Sequence, residues 1–304
     1  MRRTPPALGV GLSCASDSAA LWEAVVGDLD YIEVTPEHLC RERLVGARRA
    51  MCFVPGALAA TFARGAGLPF VAHGVELSIG SAGGWNPAYV DMLDELWATR
   101  PFAWHSEHLG FLLAPGDAPG ATRYAGVPLP LPTTDEALDL VAPRAAALVE
   151  RYPVPFLLEN GVHYLPRLPG ARDELEFLDA LCERSGCDLL LDLFNFTCNA
   201  HNHGFDPLEA LARLRLDRVV EIHVAGGATH DGYLLDAHSG AVPADVWPLV
   251  DHVVAGAPRL AGITFEILED GVARLGVAGI REQLARARES WRLRPAAGAL
   301  RVAC

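Results

Sequence analysis

The stretch Val154–Leu193, VPFLLENGVHYLPRLPGARDELEFLDALCERSGCDLLLDL, contains one repeat of the fold. VPFLLEN (Val154–Asn160) and DLLLDL (Asp188–Leu193) are short apolar runs, as expected for strands covered on both faces. Between them, Asp173–Ser185 has the amphipathic spacing of a helix. The same alternation extends to both ends of the chain. Further apolar runs are Leu8–Ser13, Leu29–Thr35, Leu68–Gly74, Phe102–His108, Arg218–Ala225 and Ala261–Ile267. Amphipathic stretches lie at Asp17–Val26, Pro87–Ala98, Thr134–Arg151, Pro207–Leu214, Pro243–Ala255 and Val277–Arg292. Thr134 is followed by Asp135 and Glu136, and Asp206 by Pro207, which are start signals for two of these helices. Eight strands alternating with helices predict an α/β fold, a single (β/α)8 TIM barrel over residues 1–292, with an irregular tail over 293–304. A doubly wound sheet is the weaker reading, because no GxGxxG or GxxxxGK[ST] follows the first strand. The Pro- and Gly-rich loop Ala114–Pro132 is long enough for a lid or substrate loop.

Composition narrows the chemistry. The chain has 304 residues, 38 acidic against 25 basic, a formal charge of −13, and all of its basic residues are arginine. Without lysine there is no Schiff base, no lysine general base and no P-loop lysine. The acid excess argues against a nucleic-acid partner. The start, MRRTPPALGVGLSC, lacks the apolar run of a signal peptide, and no stretch approaches the roughly 20 apolar residues of a membrane span. A cytoplasmic protein without a membrane partner is expected. Seven cysteines (14, 40, 52, 182, 187, 198 and 304) form no CxxC pair, which leaves no zinc-ribbon or thioredoxin motif.

In a barrel the C-terminal ends of the strands meet at one mouth. Here those ends carry metal-type ligands: His73, Glu107–His108, Glu159–Asn160, Asp192 with Asn195 beyond it, His223, Asp236 and His238 in the next loop, and Glu266. Each alone has a structural explanation, a hydrogen-bonded histidine or a turn acid. Four carboxylates at one mouth, with no arginine at those strand ends, need a counter-charge, because buried unpaired acids are costly. Metal cations supply it. Mixed imidazole, carboxylate and amide donors suit zinc, iron or manganese. The number of donors points to more than one ion. Glu33 is expected as an acid behind the ligands, and His105 as structural.

The motifs HGVELSIGS (73–81), SEHLGF (106–111), LPLPTTDEALD (129–139), LLENGVHY (157–164), LLLDLFNFTCNAHNHGFDP (189–207), EIHVAGG (221–227) and DAHSGAVPADVW (236–247) resemble the DUF692 family. These are multinuclear non-heme iron-dependent oxidative enzymes that modify ribosomally made peptides. The ligand order is also similar to that of endonuclease IV-type barrels. The resemblance maps metal ligands onto His73, His108, Glu159, Asp192, Asn195, His223, Asp236, His238 and Glu266. Asn195 stands where the zinc barrels carry histidine, a pattern that fits iron better. The resemblance gives His203 a proton-carrying role, or else helix capping. Glu107 would be a catalytic acid, a ligand, or the residue that orients His108. The sequence departs from the family at Gly226–Gly227, Phe194 and Ile267–Leu268, which removes none of the mapped ligands.

The resemblance implies two or three iron ions, mixed Fe(II)/Fe(III), with O2 as cosubstrate. The substrate would be a side chain, cysteine first, of a ribosomally synthesised precursor peptide presented by a separate peptide-binding partner. Two other readings stay open: a zinc- or manganese-dependent hydrolase or isomerase on the same barrel, and a metal-binding protein without turnover.

Overall fold

The computed structural model describes residues 2–14, 16, 18–45, 48–116 and 122–295. The strands in chain order are β1 (Gly9–Cys14), β2 (Tyr31–Val34), β3 (Cys40–Val45), β4 (Arg48–Phe53), β5 (Phe70–Gly74), β6 (His105–His108), β7 (Gly110–Pro115), β8 (Thr122–Pro130), β9 (Phe156–Glu159), β10 (Asp188–Asp192), β11 (Val219–Val224), β12 (Ala228–His230), β13 (Tyr233–Leu235) and β14 (Gly262–Ile267). The helices are α1 (Ala19–Val25), α2 (Ala57–Arg64), α3 (Pro87–Thr99), α4 (Asp135–Arg151), α5 (Glu174–Ser185), α6 (Leu193–His203), α7 (Pro207–Leu211), α8 (Trp247–Gly256) and α9 (Glu269–Trp291). Eight strands close a barrel in the order β1-β14-β11-β10-β9-β6-β5-β2, every neighbour pair parallel. These are the eight runs expected from the sequence, and the fold is a (β/α)8 barrel.

Strand alternation divides each run between two apolar layers. One side of the strands packs under the helices, with Ile32, Ala72, Leu158, Leu191, Ile222 and Phe265 among its members. The other side fills the barrel with Tyr31, Val71, Trp104, Leu157 and Leu190. Each such side chain contributes about 1.5–3 kcal/mol by leaving water. Gly11 and Gly262 make room for the Tyr31 ring, since a Cβ on Gly11 would sit 2.5 Å from its Cζ. One carboxylate lies in this floor. Glu221 Oε1 accepts from Tyr31 (3.0 Å) and Thr264 (2.7 Å), and Oε2 accepts from Trp104 Nε1 (2.6 Å). That satisfies an otherwise costly buried acid.

Helix ends follow the cap chemistry of the sequence. The Thr134 hydroxyl accepts from Ala137 N (3.3 Å) and Asp206 from Glu209 N (2.8 Å). The last helix begins earlier than expected, at Glu269, but Gly276 breaks its geometry with φ 61°. The regular segment therefore starts at Val277. The expected loop Ala114–Pro132 is mostly an antiparallel hairpin, β7–β8, and its residues 117–121 lie outside the described ones. Of the tail expected over 293–304, residues 296–304 likewise lie outside them. Among the described residues, no helix is long and apolar enough to cross a membrane.

Candidate metal centre

Inward positions two residues above the barrel floor carry the candidate ligands. Above Val71 stands His73, above Leu157 stands Glu159, and above Leu190 stands Asp192. His73 Nε2 and His108 Nε2 lie 3.3 and 3.4 Å from Glu159 Oε2. His223 Nδ1 lies 3.6 Å from Glu159 Oε1 and 3.1 Å from Glu266 Oε2. Three potential ligand sets result among the described residues, one of them Glu33, His73 and His223; the other two share Glu159. These are His73, His108 and Glu159, and Glu159, Asp192, His223 and Glu266; each of the three sets has donor atoms within 4.8 Å of one another. Glu159 belongs to these two, one oxygen toward each.

The imidazoles are held from behind. His73 Nδ1 is 3.0 Å from Ser106 Oγ, and His108 Nδ1 is 3.0 Å from the Gly74 carbonyl. Both arrangements leave Nε2 facing Glu159. Asp192 is held by Asn160, whose amide pairs with its backbone N–H (2.9 Å) and carbonyl (3.0 Å). Asp192 Oδ1 then caps α6 by accepting from Asn195 N (2.6 Å), which leaves Oδ2 free. Asn195 gives its NH2 to the Asn160 carbonyl (3.1 Å), so its Oδ1 is the atom left without a partner.

Asp236 and His238 approach from the loop after β13. His238 Nε2 is 2.7 Å from Asp236 Oδ1, and Nδ1 is 3.3 Å from Glu266 Oε1. His238 has φ 43°, a left-handed backbone that costs energy for a residue with a Cβ and points to constraint at a site. The Asp236 N–H donates to the Tyr164 hydroxyl (3.3 Å), which ties this loop to the one after β9.

Buried donor and acceptor atoms normally have partners. Here His73 Nε2, Glu159 Oε2, Asp192 Oδ2 and Asn195 Oδ1 are buried without a hydrogen bond, and Asp236 Oδ1 and His238 Nε2 have only each other. Among the described residues, the ion-pair partners of the site carboxylates are imidazoles rather than guanidinium groups. The charge pattern agrees. Burial, reinforced by the neighbouring Asp192 and Glu266, pushes the Glu159 carboxyl well above the usual carboxylate range. Burial and then Asp236 push Asp192 up to about 7. Burial also raises Glu266, but His238 and His223 outweigh it and hold this acid down. Burial keeps His73 and His108 neutral, the form that has a lone pair to give. Such a set of unpaired oxygens and imidazole nitrogens fits divalent cations.

Two expected residues lie elsewhere. Glu107 is on the outer side of β6, opposite His108, because side chains alternate along a strand. It sits beneath Gly74 against Tyr89, with His105 Nε2 3.6 Å away. The expected catalytic place of Glu107 is thus not among the ligands. His203 is at the far end of α6, about 16 Å of helix from Asp192. It is exposed, and its Nε2–H donates to the His163 carbonyl (2.6 Å). His201 likewise contacts the Gly232 carbonyl (3.1 Å). Sequence reasoning passed over Ser106 and Tyr164 as supporting residues, and it read Asn160 as a metal-type donor where the structure has it holding the Asp192 backbone. Asn160 directly follows a ligand, and Ser106 lies two residues before His108 on the same side of β6.

Comparison with known proteins supplies the relationship. Residues 7–267 match the family described as RiPP precursor modification enzyme MbnB/TglH/ChrH, whose substrates are ribosomally made peptides. A UPF0276 protein of Anaeromyxobacter sp. (strain Fw109-5) is 39% identical over 209 residues, 69% of this chain and 71% of the relative. A UPF0276 protein of Caulobacter vibrioides is 36% identical over 221 residues, 70% and 76% of the two chains. Solved structures with the same fold include D-psicose 3-epimerase from Clostridium cellulolyticum H10, with TM-score 0.54, 12% identity and coverage of 94% and 99%. Another is 3-keto-D-glucoside 4-epimerase from E. coli, with TM-score 0.55, 14% identity and coverage of 93% and 99%. At such identities these two speak for the barrel alone. Taken with the family match over most of its length, this chain belongs to the MbnB/TglH/ChrH family of peptide-precursor modification enzymes.

Proposed function

We propose that the protein is a multinuclear non-heme iron oxidase that uses O2 to modify a side chain, cysteine first, of a ribosomally synthesised precursor peptide. The observation that carries this reading is the ring of unpartnered imidazole, carboxylate and amide atoms at the mouth, in a chain of this family. His73, His108 and Glu159 would hold one ion. Glu159, Asp192, His223 and Glu266 would hold a second. Asn195, Asp236 and His238 offer harder oxygen donors and one imidazole for a third on the rim. Iron, when bound there, supplies one-electron chemistry with O2 beside a substrate thiolate.

The chain's own part is to bind and orient. Ser106 and the Gly74 carbonyl aim two imidazoles, Asn160 aims Asp192, and Tyr164 anchors the loop of Asp236. The rim beyond the ligands exposes Tyr124, Val127, Leu165, Leu168 and Tyr233, on segments that follow the C-terminal ends of barrel strands. Scattered apolar groups around a polar mouth suit an extended peptide, brought there by a separate peptide-binding protein. The test is metal analysis of protein purified without oxygen, followed by O2 uptake with cysteine-bearing precursor peptides. Bound iron and peptide-dependent O2 consumption are expected. Stoichiometric zinc without iron, and no O2 uptake, would replace this reading with the hydrolase or isomerase one.

A further inference from the structure

Glu33 stands on β2 beside the centre, two residues above Tyr31 on the inner side of the barrel. It is 5% exposed, and its Oε2 lies 2.9 Å from His223 Nε2. The opposite nitrogen of that ring, Nδ1, is the one near Glu266 and Glu159. A neutral imidazole carries one N–H and one lone pair. Carboxylates face both nitrogens, Glu33 at Nε2 (2.9 Å) and Glu266 at Nδ1 (3.1 Å), but the other donors of the Glu159–Asp192–His223–Glu266 set gather on the Nδ1 side; with a cation held there, the lone pair belongs on Nδ1 and the hydrogen on Nε2 toward Glu33. The ring has no freedom to turn over: it is fully buried and packs edge-on to His73 at 5.0 Å between centroids.

We propose that Glu33 is a positioning residue which locks His223 as the Nε2–H tautomer, so that Nδ1 faces the cation held with Glu159, Asp192 and Glu266. The inference rests on the metal-centre reading of this site, though not on the metal being iron. Glu33, His73 and His223 also have donor atoms within 4.8 Å of one another, but in the role proposed Glu33 touches neither substrate nor cation. It acts through the imidazole, whose basicity its negative charge raises. A glutamine has the same shape but can turn its amide and donate, so it leaves both tautomers open.

The test uses the full chain, stripped of metal and titrated with Zn(II) and separately with Fe(II), beside Glu33→Gln and Glu33→Leu. Nitrogen-15 histidine spectra of the zinc-loaded wild type should show His223 protonated at Nε2 and metal-bound at Nδ1. Both variants should bind the cation roughly 10–100-fold more weakly, the range for losing such an outer partner. The metal-free melting temperature of Glu33→Gln, whose amide oxygen still accepts from His223, should not fall, which a merely structural role of the carboxylate would not allow. His223 bound through Nε2 in the wild type, or unchanged affinity in Glu33→Gln, overturns the proposal. A wild type that binds neither ion overturns the metal-centre reading itself, and that is read before any variant. If the variants do not fold, the wild-type tautomer decides alone.

Discussion

At the residue scale, what separates a ligand from a neighbour is the side of the strand it occupies. β6 reads His105, Ser106, Glu107, His108, and three of these four are metal-type residues. The structure turns Ser106 and His108 inward because Trp104, two residues earlier, fills the barrel floor and donates to Glu221. Glu107 is left outside in a small polar pocket with Glu37, Tyr89 and His105. Burial and then Glu37 push its carboxyl well above the usual range, so it is held neutral. A glutamine mimics a neutral acid. Glu107→Gln should keep its bound metal and change stability by less than about 1 kcal/mol. Glu159→Gln should lose metal, since two of the three candidate sets share that residue. Metal analysis beside thermal denaturation checks the pair; equal metal loss in both would make Glu107 a ligand. The sequence revealed the strand ends but not this phase, because an all-apolar run carries no alternation to read.

At the scale of elements, the eight strands were legible because covered parallel strands are continuous apolar runs. Helix α6 was not, although it carries Asn195. Its sequence, LFNFTCNAHNH, mixes aromatic, Asn, Thr and His residues of low helix propensity. Tertiary bonds stabilise it instead. Asn199 accepts from His163 N (2.8 Å) and donates to the Gly161 carbonyl (3.0 Å). Asn202 pairs with both backbone groups of Leu234, at 2.8 and 3.0 Å. The helix thus clamps the β12–β13 hairpin, and Asp236 follows one residue after it. Gly227 completes the join, because a Cβ there would overlap the Leu235 carbonyl and the Phe194 ring. Removing the Asn202 amide leaves two Leu234 groups short of partners, at a cost of about 1–3 kcal/mol. Asn202→Ala should therefore loosen the Asp236–His238 side first. The expected readout is loss of part of the bound metal under mild chelation, with the His73–His108–Glu159 ion retained. Simultaneous loss of all metal, or none, would show that the clamp does not set this loop.

For the whole molecule, the acid excess is distributed unevenly, and burial places part of it in unfavourable surroundings. Away from the centre, burial pushes Glu37 up to about 7 and Glu174 up to about 8. Glu174 opens α5 as a half-buried residue, its carboxyl bonded by Asn199 Nδ2 at 3.1–3.2 Å. In the unfolded chain the same acid titrates at an ordinary value near 4.5. The folded state therefore holds a proton that the unfolded state has already released. That contribution to stability is complete below the unfolded pKa and is lost as pH rises to about 8. Histidines whose pKa burial lowers, such as His105 and His163, act in the opposite sense. Their effect ends once unfolded histidine is neutral, above about pH 6.5. Between pH 6.5 and 8, stability at constant metal loading should thus fall with rising pH. Glu174→Gln removes one source of the slope. Relative to the wild type it should gain about 1–2 kcal/mol between pH 5 and pH 8. That is below the limit of roughly 1.4 kcal/mol per pH unit, because a half-buried carboxyl keeps some water. Denaturant unfolding of both proteins across that range measures the gap. A constant difference would mean that Glu174 is already ionised in the folded protein and that Asn199, rather than burial, sets its charge.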